Sequence, residues 1–265
     1  MLTALLSVSA AFAQQSGSGA STTDTDPYGW TVNWVPFYLW MSGLNGNVGV
    51  RGHVAPVDAS FSDVFDKLNI GYMTALDVRY DRVGVLTDVV YIDLGADKAF
   101  PNTNASTGAH ADVKQFFVDP EVYARLFAND RGSVDALAGF RYWHLHNTLR
   151  LDPGILPGFS GDDSQNFVDP VLGARFRINL KKGWFATLKG DVGGFGAGSE
   201  LSWQIYSGVG KEFKQKYSLL LAYRRLDVDY RNSGFVFDTK MNGVMLGFAG
   251  SIEVRLEPES QSLDL

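Results

Sequence analysis

The sequence predicts an all-β fold: an antiparallel, up-and-down transmembrane β-barrel of ten strands with a short helix in its first outer loop. Three observations lead there. Apolar side chains alternate with polar ones or glycine through most of the chain, which is the period of a strand. The polar faces carry acids and bases in near balance, where a face turned to water would be rich in Lys, Glu and Thr. Short turns alternate with longer ones, as they do between the two sides of a membrane barrel. Composition agrees, since 29 of 265 residues are glycine and 13% are aromatic, a mixture suited to tightly turned β-structure and far too aromatic for a disordered chain.

The chain opens on an export signal. Residues 2 to 12 read LTALLSVSAAF, and Ala11-Phe12-Ala13 has the small-x-small form of a cleavage site, so residues 1–13 are the expected signal peptide and Gln14 the mature start. The pattern departs from the usual one in lacking Lys or Arg before the apolar core. Residues 14–28 form a small, polar, flexible lead, residues 29–256 the barrel, and residues 257–265 a polar tail. No later apolar run approaches the roughly 18 residues of a spanning helix, so the mature chain is expected to cross a membrane as strands or not at all. The absence of cysteine removes disulfides, thiolate metal sites and thiol nucleophiles. A formal charge of −6 with no Lys/Arg cluster argues against a nucleic-acid partner.

Ten strands are expected, starting near 30, 70, 83, 111, 132, 165, 183, 200, 216 and 238. In 115 to 128, Phe116, Val118, Pro120, Val122, Ala124 and Leu126 oppose Gln115, Phe117, Asp119, Glu121, Tyr123 and Arg125. In 166 to 181, Val168, Pro170, Leu172, Ala174, Phe176 and Ile178 oppose Phe167, Asp169, Val171, Gly173, Arg175 and Arg177. Two segments resist sorting: Val83 to Gly95 is apolar on both faces, and Arg224 and Arg225 must point opposite ways unless a bulge intervenes. Trp30, Trp34, Tyr38, Trp40, Trp184 and Trp203 are expected on the lipid face as interfacial girdles. Asp81-Arg82, 129 to 132, 181 to 183 and 212 to 216 are the short turns; 97 to 110, 151 to 164, 193 to 200 and 231 to 237 are the longer loops. Residues 44 to 69 form the first outer loop, with a hairpin at Arg51-Gly52 and a helix from Ser62 to Leu68 capped by Ser62 or Asp63. If that hairpin joins the wall, the count becomes twelve.

The lumen is expected to be narrow and lined by Asp77, Arg79, Asp88, Asp119, Glu121, Arg125, Asp135, Arg141, Asp169, Arg175, Arg177, Lys189 and Asp191, paired because a buried charge is tolerable only with a partner. A repeat supports this: Gln115-x-Phe-Val-Asp-Pro-x-x-x-Ala-Arg recurs from Gln165 to Arg175. In each copy Asp and Arg share a face but lie roughly 20 Å apart along the strand, so each must find its partner on a neighbouring strand.

On Phe37-Tyr38-Leu39-Trp40, the stretch Val57 to Phe65, the two FVDP copies, Gly190 to Ser199 and Tyr223 to Tyr230, the chain resembles the porin-like outer-membrane β-barrel proteins of Gram-negative bacteria. The resemblance runs through most of residues 30 to 250 and implies a barrel and an outer-membrane location, with no substrate or catalytic residue attached. Such barrels often stop on a terminal Phe, whereas here a polar tail follows.

Sites for other chemistry are weaker. Gly193 to Ser199, GGFGAGS, lacks the helix that a phosphate loop needs after it and reads as a glycine-rich turn. His144 and His146 share a strand face and His110 ends a loop, but with no carboxylate on that strand face nearby two imidazoles make a poor metal site, and none is expected. An outer-membrane lipid hydrolase would need His144 or His146 beside Ser160 and Asp162 at the rim. A soluble periplasmic ligand-binding barrel would reverse the two faces. The reading adopted is a barrel that is not an enzyme and carries no cofactor, monomeric, surrounded by outer-membrane lipid, and serving either restricted passage of small polar solutes or a structural and surface-binding role.

Overall fold

The computed structural model describes residues 29–99, 106–155, 157–214 and 216–255; the expected signal peptide, the polar lead and the C-terminal tail lie outside them. The described chain is almost entirely strand: β1 (Gly29–Val50), β2 (His53–Ala59), β3 (Leu68–Tyr80), β4 (Val83–Ala99), β5 (Ser106–Asn129), β6 (Gly132–Pro153), β7 (Phe159–Asn179), β8 (Trp184–Gly194), β9 (Leu201–Phe213), β10 (Tyr217–Asn232) and β11 (Phe235–Arg255). One short helix, α1 (Phe61–Asp66), joins β2 to β3. From β3 to β11 each strand pairs antiparallel with the next, and β1 pairs with both β3 and β11. The result is a closed wall of ten strands. β2 pairs only with the upper end of β1, through the Arg51-Gly52 hairpin, and stands outside that closure, so the wall does not become twelve.

Closure leaves the outward side chains to meet lipid. Val122, Leu172, Leu221 and Leu246 are about half exposed or more and lie on that face, as do their neighbours on every strand. Aromatic girdles bound this band. At the turn end Trp30 packs on Tyr80 at 5.0 Å and Tyr217 stacks on Phe248 at 5.7 Å. At the far end Tyr72, Tyr91 and Phe116 sit opposite one another on consecutive strands, and Phe116 meets Tyr142 at 6.2 Å. From Leu126 to Phe116 the strand covers about 33 Å, and its tilt reduces this to a band of about 25 Å, the height of a membrane barrel's apolar belt. The outward apolar face excludes the reversed, soluble barrel.

Three local expectations need correction. Tyr38 and Trp40 face the lumen and are 3% exposed, because a bulge in β1 between Trp34 and Phe37 inserts one residue and flips the parity of everything above it. Trp30, Trp34 and Trp184 lie on the lipid face. The second correction concerns the long loops: most of 106 to 110, 151 to 164 and 231 to 237 is strand, and β5 to β7 rise well past the upper girdle. Gly, Ser and Asn pair as readily as other residues when a neighbouring strand is present, so composition marked these segments as loops wrongly. β10 and β11 are joined by Ser233 and Gly234 alone, with φ of 47° and 87°, and the Gly52 amide donates to the Gly234 carbonyl at 2.8 Å, tying the two hairpin tips together. Third, α1 starts a residue earlier and ends sooner than expected, and its cap is Ser60: the Asp63 amide donates to Ser60 Oγ at 3.3 Å while the Ser60 amide donates to Asp63 Oδ2 at 2.9 Å. The Ser60 hydroxyl, which donates to Asp63 Oδ2 at 2.5 Å, and then the Ser60 amide hold the Asp63 carboxyl below its ordinary range.

The wall is not uniform. β1 pairs with β3 only from Trp30 to Val35. Pro36, which has no N–H to give, comes next, and above it the Val35 carbonyl accepts from Thr74 Oγ1 at 2.7 Å and the Pro36 carbonyl from the Tyr72 hydroxyl at 3.3 Å. Side chains replace the ladder at this seam.

If the belt faces lipid, Leu221→Arg near the middle of the band should destabilise the folded barrel by about 2–4 kcal/mol in denaturant titrations from lipid vesicles. A change near zero would contradict the assignment.

Candidate functional site

The inward side chains fill the bore in layers, each set by strand parity. Nearest the turn end, Arg177 Nη2 meets Glu212 at 2.6 Å and its guanidinium lies 3.9 Å from the Phe185 ring centre, while Arg79 donates to Thr31 Oγ1 at 3.1 Å. One layer higher, β6 places Asp135 between β5 and β7, directly opposite Arg125 on one side and Arg175 on the other. Asp135 takes both, at 2.9 Å from Arg125 Nε and 2.8 Å from Arg175 Nη2. Arg175 also reaches across the bore to Asp77 at 2.7 Å, and the Tyr123 hydroxyl donates to the same carboxylate at 2.7 Å. The two arginines of the sequence repeat are thus bridged by a single acid on the strand between them.

The next layer is the most buried. Arg141 Nη2 lies 2.8 Å from Asp119 and 2.9 Å from Asp191, and none of the three side chains is exposed. Lys189 Nζ pairs with Glu121, with Asp191 at 3.3 Å and with Asp119 at 3.9 Å. Asp119, Glu121 and Asp191 bring their oxygens within 4.8 Å of one another, close enough for a metal ion, but the Lys189 ammonium sits among them and supplies the cation itself. Gln204 carries the network onward: its amide donates to Asp119 at 2.8 Å, and its carbonyl accepts from Arg224 Nη2 at 2.7 Å. Arg224 pairs with Asp88 at 2.7 Å, and the Tyr38 hydroxyl donates to Asp88 at 2.6 Å. Every bond here is charge-assisted, the kind that offsets the cost of taking an ion out of water.

Asp169 stands apart. Although it lies opposite Arg141 in the β6–β7 register, it accepts from the Ser199 amide at 2.7 Å and from Ser199 Oγ at 2.8 Å. The glycine-rich segment after β8 folds back to make this cap, and a Cβ at Gly198 would come within 2.5 Å of the Val168 carbonyl oxygen. Closing over a buried carboxylate is a sufficient reason for GGFGAGS.

Directly above the charges lies an aromatic plug. Phe117 and Trp143 lie 4.8 Å apart, Trp143 stacks on Phe167 at 5.9 Å and reaches Phe237 at 6.0 Å, and Phe167 stacks on Tyr230. Phe235, Leu226, Val228, Met241 and Val90 complete this plug. The Arg224 guanidinium joins the two zones, 4.7 Å from the Trp40 ring and 5.5 Å from Phe117.

All thirteen charged residues singled out in the sequence lie on the inner face, and twelve take part in side-chain pairs or hydrogen bonds with other charged groups or with Thr31; Asp169 takes Ser199. Sequence reasoning missed Arg224, Gln204, Tyr38, Trp40 and the aromatic plug. For Arg224 the signal existed, because β10 runs without a register shift and plain alternation puts it inside and Arg225 outside against Asp227 and Trp203. For the plug, Phe117 and Phe167 already fell on the polar faces.

The histidines lie on the outer face of the raised wall. His144 Nδ1 is 2.7 Å from Asn166 Oδ1, and His146 Nδ1 is 2.6 Å from Ser164 Oγ. Ser160 is opposite Arg150 and Asp162 opposite Thr148, so the trio a rim hydrolase would use is not assembled around either ring. His110 pairs with Asp152 at 3.0 Å.

A closed, even-stranded antiparallel barrel with an apolar band between two girdles is a transmembrane β-barrel of the bacterial outer-membrane type. No protein-family model and no curated protein matches the chain. Among solved structures it is similar to the outer-membrane protease OmpT of Escherichia coli, at 9% identity over 90% of this chain and 99% of that one, with a TM-score of 0.49. It is also similar to Ail, the attachment invasion locus protein of Yersinia pestis, at 12% identity over 86% and 100% with a TM-score of 0.35. The translocator domain of the autotransporter NalP from Neisseria meningitidis gives 10% identity over 85% and 89%, with a TM-score of 0.38. The membrane assignment of this chain rests on its own closure and belt.

Arg141→Ala would strand Asp119 and Asp191, and should lower the unfolding free energy of the micelle-bound protein by about 3–5 kcal/mol, and with it the denaturant midpoint. Arg231→Ala, at an exposed pair with Asp229 and Asp238, should leave that midpoint unchanged. Equal effects would contradict the layered account of the bore.

Proposed function

We propose that this protein is a sealed outer-membrane barrel that acts at its surface, as a structural or surface-binding element, and not by passing solutes through its bore. The observation that carries this reading is burial: Arg141, Asp119, Glu121, Phe117 and Trp143 have no solvent-accessible surface, at two successive heights of the lumen. Ten strands enclose little more space than the eight that side chains can fill outright, so large inward residues suffice to close it. The charge layer and the aromatic plug each span the bore, which makes the seal double.

The rest of the fold suits a surface role. Beyond the upper girdle β5, β6 and β7 continue for about ten residues, roughly 30 Å along the strands, and raise a wall above the membrane. The β6–β7 tip presents Ile155, exposed by 79%, an apolar contact offered to whatever meets the cell. Among the described residues the ten wall strands close on themselves, interrupted at membrane depth by the β1–β3 seam, and this closure favours a monomer in outer-membrane lipid.

Purified protein inserted in planar bilayers should give no stepwise conductance. Replacing Phe117, Trp143 and Phe167 together by Ala should still give none, since the Arg141 layer closes the bore independently. Reproducible single-channel steps from the wild type would overturn the reading in favour of restricted passage.

A further inference from the structure

The seam between β1 and β3 leaves a mark on the lipid-facing side. A groove of about 770 Å³ runs along it, lined by Val32, Trp34, Leu76, Tyr72, Thr74 and Tyr217 and almost wholly apolar. Two local features create it. Pairing of β1 with β3 stops at Pro36, and Gly250, which faces outward on β11 beside Trp34, leaves its floor open, with no atom within 4 Å of where a Cβ would stand.

The groove has one charged end. Lys216 lines its lower mouth, next to Tyr217 in the turn-end girdle. The surrounding rim has the same sign: the four short turns carry Arg82, Arg131, Lys181, Lys182, Lys214 and Lys216 against Asp81, Asp130 and Glu212, the last of these already paired with Arg177. The groove runs from Lys216, beside Tyr217 in the turn-end girdle, toward Tyr72 in the far girdle, so the cation stands at the headgroup level on the short-turn, periplasmic side and the apolar walls lead from it into the belt.

We propose that this groove seats one phospholipid of the periplasmic leaflet, its anionic phosphate against Lys216 and an acyl chain lying over Gly250 between Trp34 and Leu76 toward Tyr72. A second copy of the chain is a poor occupant, because a two-fold contact through this patch would set one concavity against the other. An acyl chain fills a narrow apolar trough without that mismatch. The basic rim adds attraction for a negative headgroup, worth a factor of about five for each lysine near the surface.

The test is native mass spectrometry of the delipidated full chain in detergent, titrated with dioleoyl-phosphatidylglycerol and, separately, dioleoyl-phosphatidylcholine. The wild type should retain one lipid and prefer the anionic one. Lys216→Gln should reduce that preference about five-fold, and Gly250→Leu, which fills the trough, should abolish the one-to-one adduct while the heat-dependent gel shift of the folded barrel persists. Val244→Leu, elsewhere on the belt, should behave as wild type. The proposal fails if the wild type retains no lipid, if both Lys216→Gln and Gly250→Leu bind as the wild type does, or if Gly250→Leu instead removes a dimer.

Discussion

The constraint on which the rest depends is the burial of Arg141 between Asp119 and Asp191, with none of the three side chains exposed. Each of these ions, alone, would cost several kcal/mol to desolvate, so all three must arrive in the bore together. They come from β5, β6 and β8. A slip of one residue in any of these strands would send its charge into lipid and leave the others unpaired, and the penalty falls at once on the whole inner face because every second side chain turns with it. Hydrogen-bonded ladders close the wall, but they are nearly indifferent to which face is in. The charges and the apolar belt decide that, from opposite sides of the same strands.

Much of this was legible in the sequence because a strand's period is two. Which side of the wall Asp119, Asp135, Arg141 or Lys189 occupies follows from its neighbours' polarity. Who meets whom does not, because the bore brings together side chains far apart in the chain: Arg175 with Asp77, Arg224 with Tyr38, Arg224 with Gln204. Alternation also fails wherever the count shifts by one. The bulge before Phe37 hid the inward turn of Tyr38 and Trp40, and aromatic side chains there look the same in sequence whether they anchor in lipid or pack in a plug. The segments rich in Gly, Ser and Asn look like loops in the sequence for a different reason. Above the membrane nothing requires an apolar face, so the strand pattern fades although the pairing continues.

Two departures from regular pairing connect the architecture to chemistry. The turn after β8 gives up strand geometry to bring Ser199 over Asp169, which lets one copy of the repeat keep its acid where the other copy uses Arg141. Pro36 ends the β1–β3 ladder inside the membrane, and Thr74 and Tyr72 satisfy the carbonyls that would otherwise face lipid unbonded. The first departure helps to seal the lumen, and the second shapes the outer wall. A barrel filled within and sculpted outside has its opportunities for recognition at its surfaces.

Because the chain contains no cysteine, a single introduced thiol reports on one position without interference. Ser202 sits fully buried in the lumen beside Arg141, and Ser218 faces the lumen near its lower mouth, partly exposed. Exposure of the folded, membrane-inserted Ser202→Cys and Ser218→Cys variants to a small, water-soluble, charged thiol reagent tests the sealed bore directly. The account predicts that Ser218→Cys is modified while Ser202→Cys stays unreacted until the barrel is unfolded; prompt modification of both in the folded state would show a water-filled path through the Arg141 layer and contradict it.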